Sequence, residues 1–171
     1  MEIKVLTEHD AEIYRTIRLN ALLNSPESFG SSYEEELEFP LERFLQRISK
    51  PNSNTYGAFS EGQLIGICNL VFQPRKKMNH RADIYSMYVE PDFRNKGIGK
   101  RLIQQAIKTA QQSDRIEQIY LTVVSSNKVA KSLYISFGFK SYGIDKRAMK
   151  HNGLFLDHEL MVLFIREVAK Q

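Results

Sequence analysis

The residues best placed to do chemistry in this chain are Arg94-Asn95-Lys96-Gly97-Ile98-Gly99-Lys100. Gly97 and Gly99 let a backbone approach a ligand closely, and Arg94, Lys96, Lys100 and Arg101 surround them with positive charge. If a helix starts here, its first amides have no partner inside the helix and point at negative charge. The chemistry on offer is phosphate binding. The turn matches neither GxxxxGK(S/T) nor GxGxxG, so an ordinary helix start with solvated lysines is the alternative. A second constellation is Asn127, Ala130, Tyr134, Gly138 and Phe139. On a helix, Ala130, Leu133, Tyr134 and Phe137 share a face, where Tyr134 is either core packing or a hydroxyl available for proton transfer.

Each constellation needs a strand before it and a helix after it. Ala82 to Glu90 reads as a strand, which Pro91 ends by offering no amide to a ladder. Leu102, Ile103, Ala106, Ile107 and Ala110 recur at helical spacing from Lys100 to Gln112. Ile119 to Val124 is β-branched and apolar throughout, as suits a strand covered on both faces. Ser125-Ser126-Asn127 supplies caps for a helix through about Phe137, and Gly138 ends it. Upstream, Ile3 and Val5 mark a short strand, and a helix runs from the Thr7-to-Asp10 region to about Leu23. Asn24-Ser25-Pro26 stops it, and residues 28–32 read as loop with Phe29 as an anchor. Pro40 opens a second short helix carrying Leu41, Phe44, Leu45 and Ile48. Tyr56 to Phe59 and Leu64 to Phe72 form a hairpin, and Lys140 to Met149 with Leu154 to Phe164 form another around Asn152-Gly153.

At 171 residues, 42% hydrophobic and 26% charged, the chain is expected to be one α/β domain spanning residues 1–171. No apolar run approaches the roughly 20 residues of a membrane helix, so no membrane partner is expected. Met1-Glu2-Ile3-Lys4 lacks a basic segment followed by an apolar one, so no secretion signal is expected. A single cysteine, Cys68, cannot build a disulfide or a zinc site, which favours a reducing, cytoplasmic compartment and no metal. The net charge of +4 permits an anionic partner. Arg75-Lys76-Lys77 with His80 and Arg81 is the densest basic segment, but without a nucleic-acid motif it reads as a solvated loop between strands. Nucleic acid is not the expected ligand.

Ile84 to Leu102, with its (Q/R)-x-x-G-x-(G/A) core at Arg94 to Gly99, resembles motif A of the GCN5-related N-acetyltransferases. Asn127 with Tyr134-Ile135-Ser136-Phe137-Gly138-Phe139 is similar to that family's motif B. The resemblance implies a central mixed, mostly antiparallel sheet of about seven strands flanked by about four helices, with strands 4 and 5 splayed into a V. It implies acetyl-coenzyme A as donor, its diphosphate on the amides of Asn95, Lys96, Gly97, Ile98, Gly99 and Lys100 beside Arg94. The pantetheine arm would pair with Met87, Tyr88 and Val89, Asn127 would contact it, and Tyr134 would lie near the sulfur. Homodimers are frequent among such proteins.

The expected reaction is attack of a neutral primary amine on the thioester carbonyl. Such amines, with pKa near ~10, are mostly protonated at neutral pH, so a proton acceptor is needed. Tyr134 would protonate the departing thiolate, and a backbone amide near Val89 would stabilise the oxyanion. Asp83 is the carboxylate nearest to hand, sharing a face with Tyr85, Met87 and Val89 if no bulge intervenes; Glu34, Glu35, Asp157, His158 and Glu159 are rivals. Substrate selection in this family falls to the segment between the first two helices and to the final hairpin. Here the former places Phe29, Tyr33, Glu34 and Glu35 at the acceptor, and the acidic run 34–38 favours a small cationic amine. A protein or peptide amine is the alternative acceptor, and a non-catalytic coenzyme A sensor is the alternative class.

Overall fold

The computed structural model describes residues 1–166. One seven-stranded sheet runs through it in the order β1-β2-β3-β4-β5-β7-β6. The strands are β1 (Glu2–Val5), β2 (Ser53–Ser60), β3 (Gln63–Phe72), β4 (Arg81–Val89), β5 (Gln118–Val124), β6 (Lys140–His151) and β7 (Leu154–Phe164). The helices are α1 (Ala11–Asn24), α2 (Tyr33–Leu37), α3 (Leu41–Ile48), α4 (Ile98–Gln112) and α5 (Lys128–Ser136). Among the described residues five helices stand where about four were expected. The addition is α2, one short helix in the acidic run, started by Ser32, whose Oγ accepts from the Glu35 amide while Glu35 Oε2 accepts from the Ser32 amide. That reciprocal cap stabilises a helix too short to show periodicity.

Two apolar layers sandwich the sheet. On one face Leu102, Ile103, Ala106 and Ala110 of α4, with Tyr134 of α5, pack on Ala82, Ile84, Ile119 and Leu121. On the other, Tyr14, Ile17 and Ala21 of α1 and Phe44 and Ile48 of α3 pack on Ile67 and Tyr88. All pairs are antiparallel except β4 with β5, which run parallel because α4 carries the chain back across the sheet. The last hairpin turns at Asn152 and Gly153, both with positive φ, as a two-residue turn requires. The basic residues 75–80 form the turn between β3 and β4.

Two irregularities shape the middle of the sheet. The β4–β5 ladder pairs Arg81, Ala82 and Asp83 with Gln118, Ile119 and Tyr120, and then stops. From Ile84 and Leu121 onward the strands diverge, giving the expected V. On the β3 side, Asn69 faces Tyr85 and Ile67 faces Tyr88, so β4 carries one extra residue there. Ser86, with φ of 53°, is in the left-handed region. This bulge inverts the alternation. Met87 and Val89 therefore join Ala82 and Ile84 on the α4 face, while Tyr88 turns to the α1 face. Asp83 does not share a face with Met87 and Val89, contrary to the straight-strand expectation.

Candidate active site

A cleft of about 1100 Å³ opens where β4 and β5 part. Its floor is Ile84 to Val89 on one side and Leu121 to Val124 on the other; one end is Arg94, Asn95 and Gly97 to Lys100, the other the loop around Phe29. Lys96, expected at the cofactor, does not line it; its ammonium lies over the Phe93 ring at 5.2 Å. Gly97, with φ of 77°, caps α4, and Asn95 is also left-handed, with φ of 61°. The first amide bonded within α4 is that of Arg101, on the Gly97 carbonyl. The amides of Ile98, Gly99 and Lys100 ahead of it remain open, and all three residues line the cleft. A Cβ on Gly99 would come 3.1 Å from Met87 Cε, so the absence of a side chain keeps this cradle narrow.

Arg94 does not simply add charge. Its Nε donates to the Val89 carbonyl at 2.9 Å and its Nη2 to Ser25 Oγ at 3.1 Å. The Glu90 amide donates to Ile65 on β3. Because peptide directions alternate along a strand, the Val89 amide and carbonyl both face the splay, the carbonyl occupied by Arg94. Asn127 caps α5, its Oδ1 accepting from the Ala130 amide at 3.1 Å, which leaves its amide nitrogen for the cleft it lines. Tyr134 lies 6% exposed on the cleft wall, edge-on to Phe139 at 6.0 Å. Its hydroxyl has no hydrogen-bond partner among the described residues. Burial pushes it well above the ordinary tyrosine value, with a smaller contribution from the Cys68 thiol, itself pushed up to about 12 by burial. The phenol is thus a protonated donor at neutral pH.

The expected proton acceptors fare differently. Asp83 makes the last rung of the β4–β5 ladder, with Tyr120, is bound by Gln73 Nε2, and does not line the cleft. Asp157 accepts from Lys146 Nζ and the Arg147 amide in the last hairpin. Glu159 pairs with Lys131 on the α5 side. Only His158 of that set lines the cleft. Tyr33, Glu34 and Glu35, expected at the acceptor, do not line it; Phe29 does. The acidic run points elsewhere because α2 turns its one buried carboxylate, Glu36, onto Arg18 and Arg47. Arg18, Glu27 and Thr122 line the cleft without having been singled out by sequence. Arg18 alone left a signal: it falls in the apolar stripe of α1 with Tyr14, Ile17, Ala21 and Leu22.

No group of three or more metal-ligating side chains is placed to hold an ion among the described residues. The open amides of the glycine turn beside Lys100 suit a diphosphate, and the unpaired margins of β4 and β5 suit an extended, amide-bearing arm. The family model described as Acetyltransferase (GNAT) family matches residues 18–139. The chain belongs to the GNAT family. As a GNAT member it is an acyltransferase whose donor is acetyl-coenzyme A, and its acceptor is an amine. The chain is 28% identical over 115 residues to the N-alpha-acetyltransferase RimI of Mycobacterium tuberculosis, covering 67% of this chain and 70% of that protein. It is 31% identical over 124 residues to a spermidine N(1)-acetyltransferase of Thermoplasma acidophilum, covering 66% and 73%. A Salmonella typhimurium putative acetyltransferase, whose structure is described with its cofactor acetyl-CoA, shares the fold with a TM-score of 0.86 at 18% identity, over 100% of this chain and 97% of that one.

Proposed function

We propose that the 171 residues form a single N-acetyltransferase domain that acetylates the primary amine of a small molecule by direct attack, with donor and acceptor bound together. The observation that carries this is Tyr134, a buried, protonated hydroxyl with no partner among the described residues, on the wall of the cleft that the glycine turn and the strand splay define. A phenol kept in that state has no structural use for its proton.

The amides from Asn95 to Lys100 hold the diphosphate, with Lys100 beside them, and Met87 to Val89 pair with the arm. The amide nitrogen of Asn127 contacts the arm, since its oxygen is committed to α5. The donor supplies a thioester carbonyl open to attack. The Val89 amide faces the charge that develops on that oxygen, and Tyr134 gives its proton to the sulfur as it leaves. We assign the acceptance of the amine proton to His158 rather than Asp83, because only the former reaches the cleft. A small acceptor is supported by the Pro26–Ser28 turn, which reaches across the splay to β5 and narrows the entrance. We place the enzyme in a reducing compartment, consistent with its buried free Cys68.

The test is thiol release from acetyl-coenzyme A across a panel of small amines and peptides with free N-termini, with calorimetry of coenzyme A binding alongside. Turnover of small amines above peptides is expected. Tight coenzyme A binding with no thiol release for any amine would replace the enzyme reading with a sensor.

A further inference from the structure

The acceptor wall of the cleft carries a guanidinium that is held rigidly and is only partly used. Arg18, 7% exposed, lines the cleft. Its Nε and Nη2 donate to the two oxygens of Glu36, at 3.0 and 2.7 Å. Arg47 Nη1 donates to the same carboxylate at 2.6 Å. The ring of Phe29, 4.8 Å away, covers one face of the Arg18 guanidinium. Its Nη1 has no partner among the described residues, yet it is not among their sealed, unpaired nitrogens, so it remains open to a ligand.

Two guanidiniums share one carboxylate in this cluster, which leaves a surplus positive charge beside the cleft. Burial opposes ionisation of Glu36, but its bonds to Arg18 and Arg47 outweigh that and hold it down at about 2. The balance therefore does not change at any physiological pH. Among the described residues Glu27 is the only carboxylate lining the cleft, and it is exposed. A second ammonium on the acceptor would face the Arg18 charge across low-dielectric surroundings, whereas a carboxylate would satisfy it.

We propose that the acceptor is a small amine that also bears a carboxylate, an amino-acid type of molecule, and that Arg18 is the residue that selects it by donating Nη1 to that carboxylate over the apolar face of Phe29. This rests on the transferase reading and names its substrate class. Arg18 is pre-organised for such a contact, because Glu36 fixes the fork and little side-chain freedom is lost on binding.

The test compares thiol release for an amino acid, its carboxamide and its decarboxylated amine, in the native protein and in Arg18→Gln and Arg18→Lys. A charged hydrogen bond predicts kcat/KM about 10- to 100-fold higher for the acid than for the amide in the native protein. In Arg18→Gln that ratio falls towards one through KM, and Arg18→Lys recovers part of it. Turnover of the amide or the amine equal to or above that of the acid overturns the selection by Arg18 while leaving acetyl transfer intact. An equal loss for acid and amide in Arg18→Gln overturns it too. No release with any of the three, or with any other amine, overturns both readings. If Arg18→Gln fails to fold, the acid-to-amide ratio of the native protein decides alone.

Discussion

Arg94 Nε donates to the carbonyl oxygen of Val89 at 2.9 Å, tying the glycine turn to the last residue of β4. The same guanidinium reaches Ser25 at the end of α1. One side chain thus joins the glycine turn, the end of β4 and the end of α1. Arg94→Lys keeps the charge but cannot make both bonds in this planar geometry. We expect coenzyme A affinity to fall about 10-fold in Arg94→Lys, as loss of a charge-assisted hydrogen bond implies. Calorimetry checks this; unchanged affinity would mean that Arg94 adds charge alone.

Tyr134→Phe removes a hydroxyl that bonds to nothing among the described residues. Thermal stability and coenzyme A affinity should stay close to native, while kcat drops about 100-fold, within the usual range for general acid catalysis. Stopped-assay kinetics with calorimetry separate the two. Full turnover would remove Tyr134 from the chemistry.

The acid limb of stability should be dominated by Glu36. Its folded carboxyl titrates near 2 against an ordinary 4.5, which corresponds to roughly 3 kcal/mol at about 1.36 kcal/mol per tenfold. Because the folded value is depressed, this contribution is fully present above about 4.5 and is lost as pH falls from there towards 2. Denaturant unfolding from pH 6 to pH 2.5 should show that decline. Glu36→Gln should be less stable at pH 6 and much flatter below pH 4.5, since it leaves two guanidiniums without their carboxylate.

Gly97→Ala isolates backbone conformation from packing. A Cβ there meets nothing within 4 Å, but φ is 77°. A stability loss of about 1–2 kcal/mol is expected from the left-handed geometry alone. Gly99→Ala differs: its φ is unexceptional, and its methyl presses on Met87. Comparing the pair by denaturant unfolding tests whether strain or space governs the turn.

Much of this was legible in the sequence because it depends on local pattern. The glycine turn, the apolar stripe of α4, the two-residue turn at Asn152 and Gly153 and the cap at Asn127 each follow from a few adjacent residues. What stayed hidden is long-range. The bulge at Ser86 arises from mismatched pairing with β3, and no residue type in β4 announces it, yet it decides which face Asp83 occupies. The Arg18–Glu36–Arg47 cluster joins three helices, so of its members only Glu36 drew notice in the sequence, as part of an acidic run. The helix α2 is too short for a period, although Ser32 and Glu35 hold its capping signature.

The ladder between β4 and β5 ends after Asp83 and Tyr120, so this sheet has two raw borders inside its own body as well as at its rims. Such borders are normally shielded or shortened in evolution because they invite stray chains to zip onto them. Here the partner we propose is the acetyl-coenzyme A donor. Loading it should make the protein harder to melt and less prone to clump, and depriving the protein of it should expose a seam where aggregation begins.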